Sequence, residues 1–188
     1  KGKAFHQFAI FMPVILAPVV VGFLWKIIYN ADYGLLNFFL KLIGHEELIQ
    51  AWLDDPDIVM RSITVPIVWQ WIGMYVVMLV GAMKNISEEI IESAVLDGAN
   101  GIQRTLYITW PLVLDTVKIS IILAVSGCMK LFEHIYIITG GGPGNASMVG
   151  AMYAYKTSFI KQKFGYGSTI SVGIMLTSLV LVLLVNII

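Results

Sequence analysis

Few side chains in this sequence are suited to making or breaking bonds. Its three histidines, His6, His45 and His134, are scattered along the chain without the spacing of metal ligands, and Cys128 is its single cysteine. The sequence therefore predicts neither a metal site nor an internal disulfide. An enzyme needs catalytic groups gathered at one place, so we expect no catalytic residue and no enzyme activity in this chain.

A glycine-rich segment, residues 140–145, is the next candidate, because glycine loops can bind phosphate groups. Such a loop would follow a strand and lead into Lys-Ser or Lys-Thr, and the sequence has neither feature at this point. Its four glycines and one proline instead indicate a break between helices. We expect the chain itself to bind no nucleotide and no other cofactor.

An amide among aromatic rings lies at the centre of an apolar stretch, as Trp69, Gln70, Trp71 and Tyr75. An amide facing lipid is costly, so Gln70 should face other helices or a cavity. Rings beside an amide suit a sugar, because the apolar faces of the sugar stack while its hydroxyls form hydrogen bonds. Buried polar groups also join helices within membranes. A substrate path and helix packing both explain these residues.

Two opposite charges, Lys130 and Glu133, lie three residues apart near the end of another apolar stretch. On one helix they would share a face and offset each other. A charge near the bilayer centre costs about 2.5–3.5 kcal/mol on insertion scales. An ion pair at the membrane interface and a proton relay are the two interpretations.

The stretches that carry these groups have the composition of a membrane protein. The chain is 58% hydrophobic and 13% charged, with a mean hydropathy of +0.83, whereas a soluble domain has about 25% charged residues. Its net charge of zero argues against a nucleic-acid partner. We predict an all-α integral membrane protein, a polytopic helical bundle in the lipid bilayer, with spans at residues 8–28, 61–83, 112–138 and 170–188. Pro13 and Pro18 should kink the first span.

The connections between spans have features of their own. Residues 33–40 suggest a short interfacial helix, and residues 147–163 are amphipathic. An acidic patch is either a docking surface or simply solvated, and consists of Glu46, Glu47, Asp54, Asp55 and Asp57. The chain begins without methionine and stops within an apolar run, so we expect a fragment of a longer protein.

The longest polar interruption separates the second span from the third. Ser87 is placed to cap a helix, and Gly98 to end it in the left-handed conformation. Asn100 and Gln103 have the spacing of a capping box for a second short helix. Pro111 should mark the turn into the next span. The sequence predicts a helix, a glycine turn and a helix.

This interruption resembles the EAA loop of the permease subunits of binding-protein-dependent ABC importers. The resemblance is carried by Glu92, Ser93, Ala94, Gly98, Ile108 and Pro111. The sequence departs from the family pattern at Ser93, which replaces an alanine, and at Trp110, which replaces a leucine. The resemblance implies that residues 84–111 form a cytoplasmic coupling loop that docks on an ATP-hydrolysing subunit.

A second segment, FEHIYIITGGGPGNAS, resembles an element of the carbohydrate-uptake permeases of the same family. It implies that residues 1–188 are part of one transmembrane domain of a sugar importer in a bacterial or archaeal plasma membrane. It adds Gly141, Gly142 and Pro143 to the expected substrate path. The implied partners are a second homologous permease, an extracytoplasmic sugar-binding protein and two ATP-binding subunits, which would hold ATP and Mg²⁺.

The alternative function is a secondary transporter or channel subunit without an ATPase. It predicts charge pairs within the membrane, for which Lys130 and Glu133 are the only support, and no docking loop. The distribution of lysine and arginine does not decide the orientation. The cytoplasmic position of the loop is implied by the resemblance alone.

Overall fold

The computed structural model describes residues 2–187, and the side chains of residues 5–186. Within this part the secondary structure is helical throughout. The α-helices are α1 (Gly2–Ile15), α2 (Pro18–Ile28), α3 (Leu35–Leu42), α4 (Val59–Lys84), α5 (Glu88–Leu96), α6 (Gly101–Arg104), α7 (Trp110–Met129), α8 (Glu133–Ile138), α9 (Gly150–Tyr155) and α10 (Phe164–Ile187). A 3₁₀ turn forms at Glu46–Leu48, and π-helical segments form at Thr105–Thr109 and Lys156–Ile160.

Three continuous helical segments are long and apolar enough to cross a membrane. They are Val59–Lys84, Gly101–Met129 and Phe164–Asn186. Helices α1 and α2 together make a fourth candidate, bent by 97°. The predicted all-α membrane class is therefore confirmed.

The first predicted span is two helices and not one kinked helix. Helix α1 ends at Ile15, and α2 begins at Pro18. Proline suits the first position of a helix because it has no N–H to leave unpaired there. Pro13 stays inside α1, so the predicted first span breaks at only one of its two prolines.

The third predicted span is also interrupted. Helix α7 ends at Met129 and α8 begins at Glu133, with Phe132 in a non-helical conformation between them. The prediction that Lys130 and Glu133 share a helix face is therefore wrong, because the i, i+3 rule holds only along a continuous helix. Among the residues that the structure describes, no ion pair joins these two side chains.

Residues 101–129 run on as one helix, so the predicted turn at Pro111 is wrong as well. A proline inside a helix clashes with the carbonyl group four residues earlier, here that of Tyr107. Tyr107 lies in the π-helical segment, where the N–H of Trp110 bonds the carbonyl group of Thr105, five residues back. This wider turn accommodates the proline without ending the helix.

Helix α4 is the centre of the described structure and packs against α1, α2, α7 and α8. Its N-terminal part joins α8 in a cluster of fully buried side chains, made of Val59, Ile63, Ile135 and Ile138. Helix α10 packs on α7 and α9. It begins at Phe164, earlier than the predicted residue 170, and Ile188 lies outside the described residues.

The connection between α2 and α4 is ordered around one buried amide. Asn37 of α3 accepts a hydrogen bond from Trp52 Nε1 at 2.7 Å and donates to the backbone oxygens of Ala31 and Gln50. The predicted short helix at 33–40 is thus present as α3. In the acidic patch, the hydrogen bond between His45 Nδ1 and Glu47 Oε1, 2.9 Å long, lowers the pKa of this exposed carboxyl group.

Candidate functional site

The loop between α4 and α7 begins with a capped helix. Ser87 Oγ accepts a hydrogen bond from the N–H of Glu89, which satisfies one of the free donors at the start of α5. At the other end, Gly98 has a φ of +80°. The N–H of Ala99 bonds the oxygen of Ala94, and the N–H of Gly98 bonds that of Val95. This pair of bonds is a Schellman motif, which fixes where α5 stops.

The second helix of the loop starts from a complete capping box. Asn100 Oδ1 accepts from the N–H of Gln103 at 2.9 Å, and Gln103 Oε1 accepts from the N–H of Asn100 at 2.8 Å. Because both ends of the short link between α5 and α6 are held by hydrogen bonds, the angle between the two helices is fixed locally. The predicted helix, glycine turn and helix are all present.

The tip of this loop exposes large apolar side chains to solvent. Leu96 is 88% exposed, the highest fraction of any large apolar side chain that the structure describes, and Ile102 and Tyr107 are 73% and 76% exposed. We call these three residues the apolar tip. Exposed apolar patches mark contact sites for other proteins or for a membrane. The sequence reasoning missed them, although a leucine just before a glycine turn was a usable signal.

The six residues singled out in the loop have different environments. Ala94 is buried, and Ile108 is half-buried. Ser93 is exposed and its hydroxyl donates to the backbone oxygen of Ile90 at 3.0 Å. Glu92 and Pro111 are exposed, and Gly98 forms the turn. Of these six residues, Glu92 and Ser93 are the two that are exposed on α5, about one helical turn before Leu96 of the apolar tip.

A cavity of about 620 Å³ lies between α4 and the junction of α7 with α8, and we call it cavity one. Trp71 and Tyr75 line it, as two of the predicted substrate-path residues. The lining across the cavity is mostly apolar, with Leu123, Ala124 and Leu131, and carries a few polar groups, Cys128, Lys130, Glu133 and His134. Aromatic rings facing a few polar groups form the kind of cavity that holds a small polar solute.

Two other predicted residues of α4 face away from this cavity. Gln70 is fully buried, and its amide bonds the backbone oxygen of Leu16 at 2.8 Å and His134 Nε2 at 2.6 Å. The ring of Trp69 packs edge-on against Trp25, with ring centroids 5.9 Å apart. In the structure, both residues therefore hold helices together.

The glycine-rich loop lines a different cavity of about 410 Å³, which we call cavity two. Gly142 and Pro143 border it, together with Lys26, Asp32, Asp54 and Thr139. Gly141 is buried, beside Met148 and Lys156. The structure therefore does not bring the predicted substrate-path residues into one site.

Hydrogen bonds keep the glycine-rich loop in shape. Ser147 Oγ donates to the oxygen of Gly142 at 2.6 Å and lies 2.8 Å from Thr139 Oγ1. Lys156 Nζ donates to the oxygen of Gly140 at 2.7 Å. These bonds connect the loop to Thr139, just after α8, and to Lys156, at the start of the π-helical segment that follows α9.

Comparison with known proteins decides the family. The sequence model of the family described as "Binding-protein-dependent transport system inner membrane component" matches residues 5–188. The chain belongs to this family. As a family member it is a permease subunit of an ABC transporter, located in a membrane, and not itself an enzyme.

Curated relatives of this permease match nearly all of it. It is 35% identical to the probable ABC transporter permease protein YurN of Bacillus subtilis, over 98% of this chain and 63% of YurN. It is 30% identical to the diacetylchitobiose uptake system permease protein NgcF of Streptomyces coelicolor, over 99% of this chain and 54% of NgcF. The chain thus spans between about half and two thirds of the length of these relatives.

The fold of this permease is that of a solved importer. It superposes on a chain of a bacterial ABC transporter involved in the import of the acidic polysaccharide alginate, with a TM-score of 0.86 and 21% identity. The match covers 99% of this chain and 66% of the other. At this identity, the likeness shows the fold alone.

Proposed function

We propose that this chain is the membrane-spanning permease subunit of an ABC sugar importer and docks on an ATP-binding subunit through residues 88–111. The observation that carries the proposal is the apolar tip. Leu96, Ile102 and Tyr107 are the most exposed large apolar side chains of residues 88–111. Leu96 precedes the candidate span Gly101–Met129, and the other two lie at its start. Apolar side chains presented in this way gain most by entering a groove on another protein.

A docking loop must also be stiff to transmit movement. The Schellman motif at Gly98 and the capping box of Asn100 and Gln103 fix the two short helices relative to each other. Beyond them, the helix continues from Gly101 to Met129 without a gap. A displacement of Ile102 and Tyr107 would therefore be transmitted along this one helix to Gly127 and Cys128, which line cavity one.

The sugar class of substrate is supported by relatives and by cavity one. NgcF is named as a diacetylchitobiose permease, and MalF of Thermococcus litoralis, 28% identical, as a trehalose/maltose permease. In cavity one, the rings of Trp71 and Tyr75 offer stacking surfaces beside polar groups. We propose that these residues form part of the sugar path, and that Gly142 and Pro143 border its outer end.

The proposal includes the partners of an importer. These are a second homologous permease, two ATP-binding subunits that hold ATP and Mg²⁺, and an extracytoplasmic sugar-binding protein, in a bacterial or archaeal plasma membrane. One solved relative, 21% identical, is a bacterial alginate ABC transporter in complex with a periplasmic protein bound to an alginate pentasaccharide. The alternative of a secondary transporter is not favoured, since its supporting residues, Lys130 just after α7 and Glu133 at the start of α8, form no ion pair in the described part of the chain.

Co-purification of the tagged full-length protein from its native membrane tests the proposal. We expect an ATP-binding subunit and a second permease to come with it, and the ATP-binding subunit to be lost when Leu96 is changed to glutamate. The matched control is Leu48→Glu, because Leu48 is also exposed but lies beside Glu46 and Glu47 in the loop between α2 and α4. A chain that purifies alone, or keeps the ATP-binding subunit in the Leu96→Glu variant, contradicts the docking role.

A further inference from the structure

A single buried amide connects three helical segments of this permease. Gln70 Nε2 lies 2.8 Å from the backbone oxygen of Leu16, which can only accept, so this amide nitrogen donates there. Gln70 Oε1 must then accept from His134 Nε2, 2.6 Å away. The pattern fixes the protonated nitrogen of His134 as Nε2. Gln70 is fully buried and His134 is 1% exposed.

Both partners of Gln70 lie at interruptions of helices. Leu16 follows the end of α1, and His134 is the second residue of α8, just after the break from α7. In a continuous helix the oxygen of Leu16 would accept from the N–H of Val20, but that N–H bonds the oxygen of Ala17 instead. Gln70 thus satisfies a backbone acceptor that the bend has freed, as membrane interiors require.

Because both hydrogen bonds come from Gln70, the two interruptions lie beside the same turn of α4, near the middle of this helix. Close to this level, α2 and α8 pack tightly: a Cβ on Gly22 would lie within 3 Å of side-chain atoms of Ile137. On the other side of α4, next to Gln70, Trp71 lines cavity one, and His134 lines it from α8. The hydrogen bonds of Gln70 therefore fix the positions of Trp71 and His134, which line cavity one, relative to the two bends.

We propose that Gln70 is a positioning residue for transport. Its amide links the bend between α1 and α2 to the bend between α7 and α8, so that both move with α4 when the docking loop is displaced. We call these two hydrogen bonds the Gln70 bridge. The inference rests on the proposed function for the movement it transmits, and on the described geometry for the bridge itself.

The test uses the full-length permease assembled with its partner subunits, with every cysteine other than Cys128 replaced. Cys128 lines cavity one and is exposed, so the rate at which a maleimide labels it reports on the state of the cavity. The rate is measured without nucleotide and with a non-hydrolysable ATP analogue, and ATP hydrolysis is measured in parallel. The variants are Gln70→Met, His134→Phe and the double variant, which keep the approximate volume of each side chain.

We expect the nucleotide-dependent change in labelling rate to fall about fivefold in each single variant, the lower end of the usual range for coupling between sites. The double variant should lose no more than either single variant, because both act on one link. ATP hydrolysis should continue in all three. A residue that only stabilises the fold would instead lower assembly and hydrolysis together.

The matched control is Ser62→Ala on the same helix. Ser62 is buried too, but its hydroxyl donates to the oxygen of Ile58, the residue just before α4, and to no other helix. We expect the control to respond to nucleotide like the wild type. If Gln70→Met fails to assemble, His134→Phe breaks the same link from the other side, and it should show the loss on its own.

The outcomes separate the two proposals. If the labelling rate of Cys128 in the wild-type complex does not change with nucleotide, the proposed function is contradicted. A wild-type complex that responds, with Gln70 variants that respond equally or with single effects that add in the double variant, overturns the Gln70 bridge and leaves the proposed function intact.

Discussion

Gly73 of α4 lies against the backbone oxygen of Ile10 in α1, at a separation that leaves no space for a side chain. A Cβ added at Gly73 would overlap that oxygen. Small residues allow two membrane helices to approach this closely, and packing is the main force that joins helices in lipid. The close packing of α1 on α4 therefore depends on the absence of a side chain at Gly73.

Replacing Gly73 with alanine should force α1 away from α4. Overpacking of a tight contact costs about 1–3 kcal/mol, and the backbone oxygen of Ile10 cannot rotate aside as a side chain does. We expect a lower melting temperature of the purified protein in detergent. Gly81→Ala is the control, since the space around Gly81 on the same helix is open. Equal melting temperatures for both variants would contradict the close contact.

Replacing Gly98 with valine should uncouple the docking loop from the membrane spans. At a φ of +80°, a β-branched residue is strongly disfavoured, so α5 would end differently and the apolar tip would be misplaced. We expect ATP-driven uptake to fall strongly while the protein still reaches the membrane. Gly98→Asn, which tolerates this conformation better, should retain more uptake. Normal uptake by the valine variant would rule out a fixed turn.

The capping box should show that its two residues act together. Removing one side chain, as in Asn100→Ala, should destabilise the start of α6 by about 1 kcal/mol. Gln103→Ala removes the reciprocal bond, and the double variant should cost less than the sum of the two single effects. Hydrogen exchange of the amides in residues 100–105 measures this local opening. Independent, additive effects would count against a reciprocal pair.

The order of the glycine-rich loop should depend on Ser147. This fully buried hydroxyl bonds the oxygen of Gly142 and the hydroxyl of Thr139, and an unpaired buried group costs about 1–3 kcal/mol. Ser147→Ala should therefore speed proteolysis within residues 139–149. Ser168→Ala is the control, because Ser168 is exposed. If the two variants are cut at the same rate, the hydroxyl does not order the loop.

Glu92→Arg tests the polar edge of the docking surface. Glu92 is exposed on α5, next to Ser93 and near the apolar tip. Reversal of its charge should weaken the contact with the ATP-binding subunit and leave the fold unchanged, since exposed side chains contribute little to stability. Co-purification of the two subunits measures it. Full retention of the ATP-binding subunit would remove Glu92 from the docking surface.

The loop of residues 88–111 was readable from the sequence because its structure is set by neighbours in the chain. Ser87, Gly98, Asn100 and Gln103 each act on backbone groups within a few residues, through caps and a positive φ. The membrane-spanning character was equally readable, because it follows from the length and composition of each stretch. Even so, the apolar tip escaped notice, since exposure is a property of the folded chain.

The interruptions of the spans were decided by tertiary structure. No proline or glycine occupies residues 130–132, so nothing local marks the end of α7 there. What holds the break is a hydrogen bond from His134 to Gln70, far away in the sequence, and the burial of Ile135 against α4. The sequence by itself determined the helical, membrane-spanning class and the caps of the short helices, because these depend on nearby residues. Only the tertiary structure decided which helices bend, which residues share a cavity and which polar groups are satisfied, because these depend on contacts between distant segments.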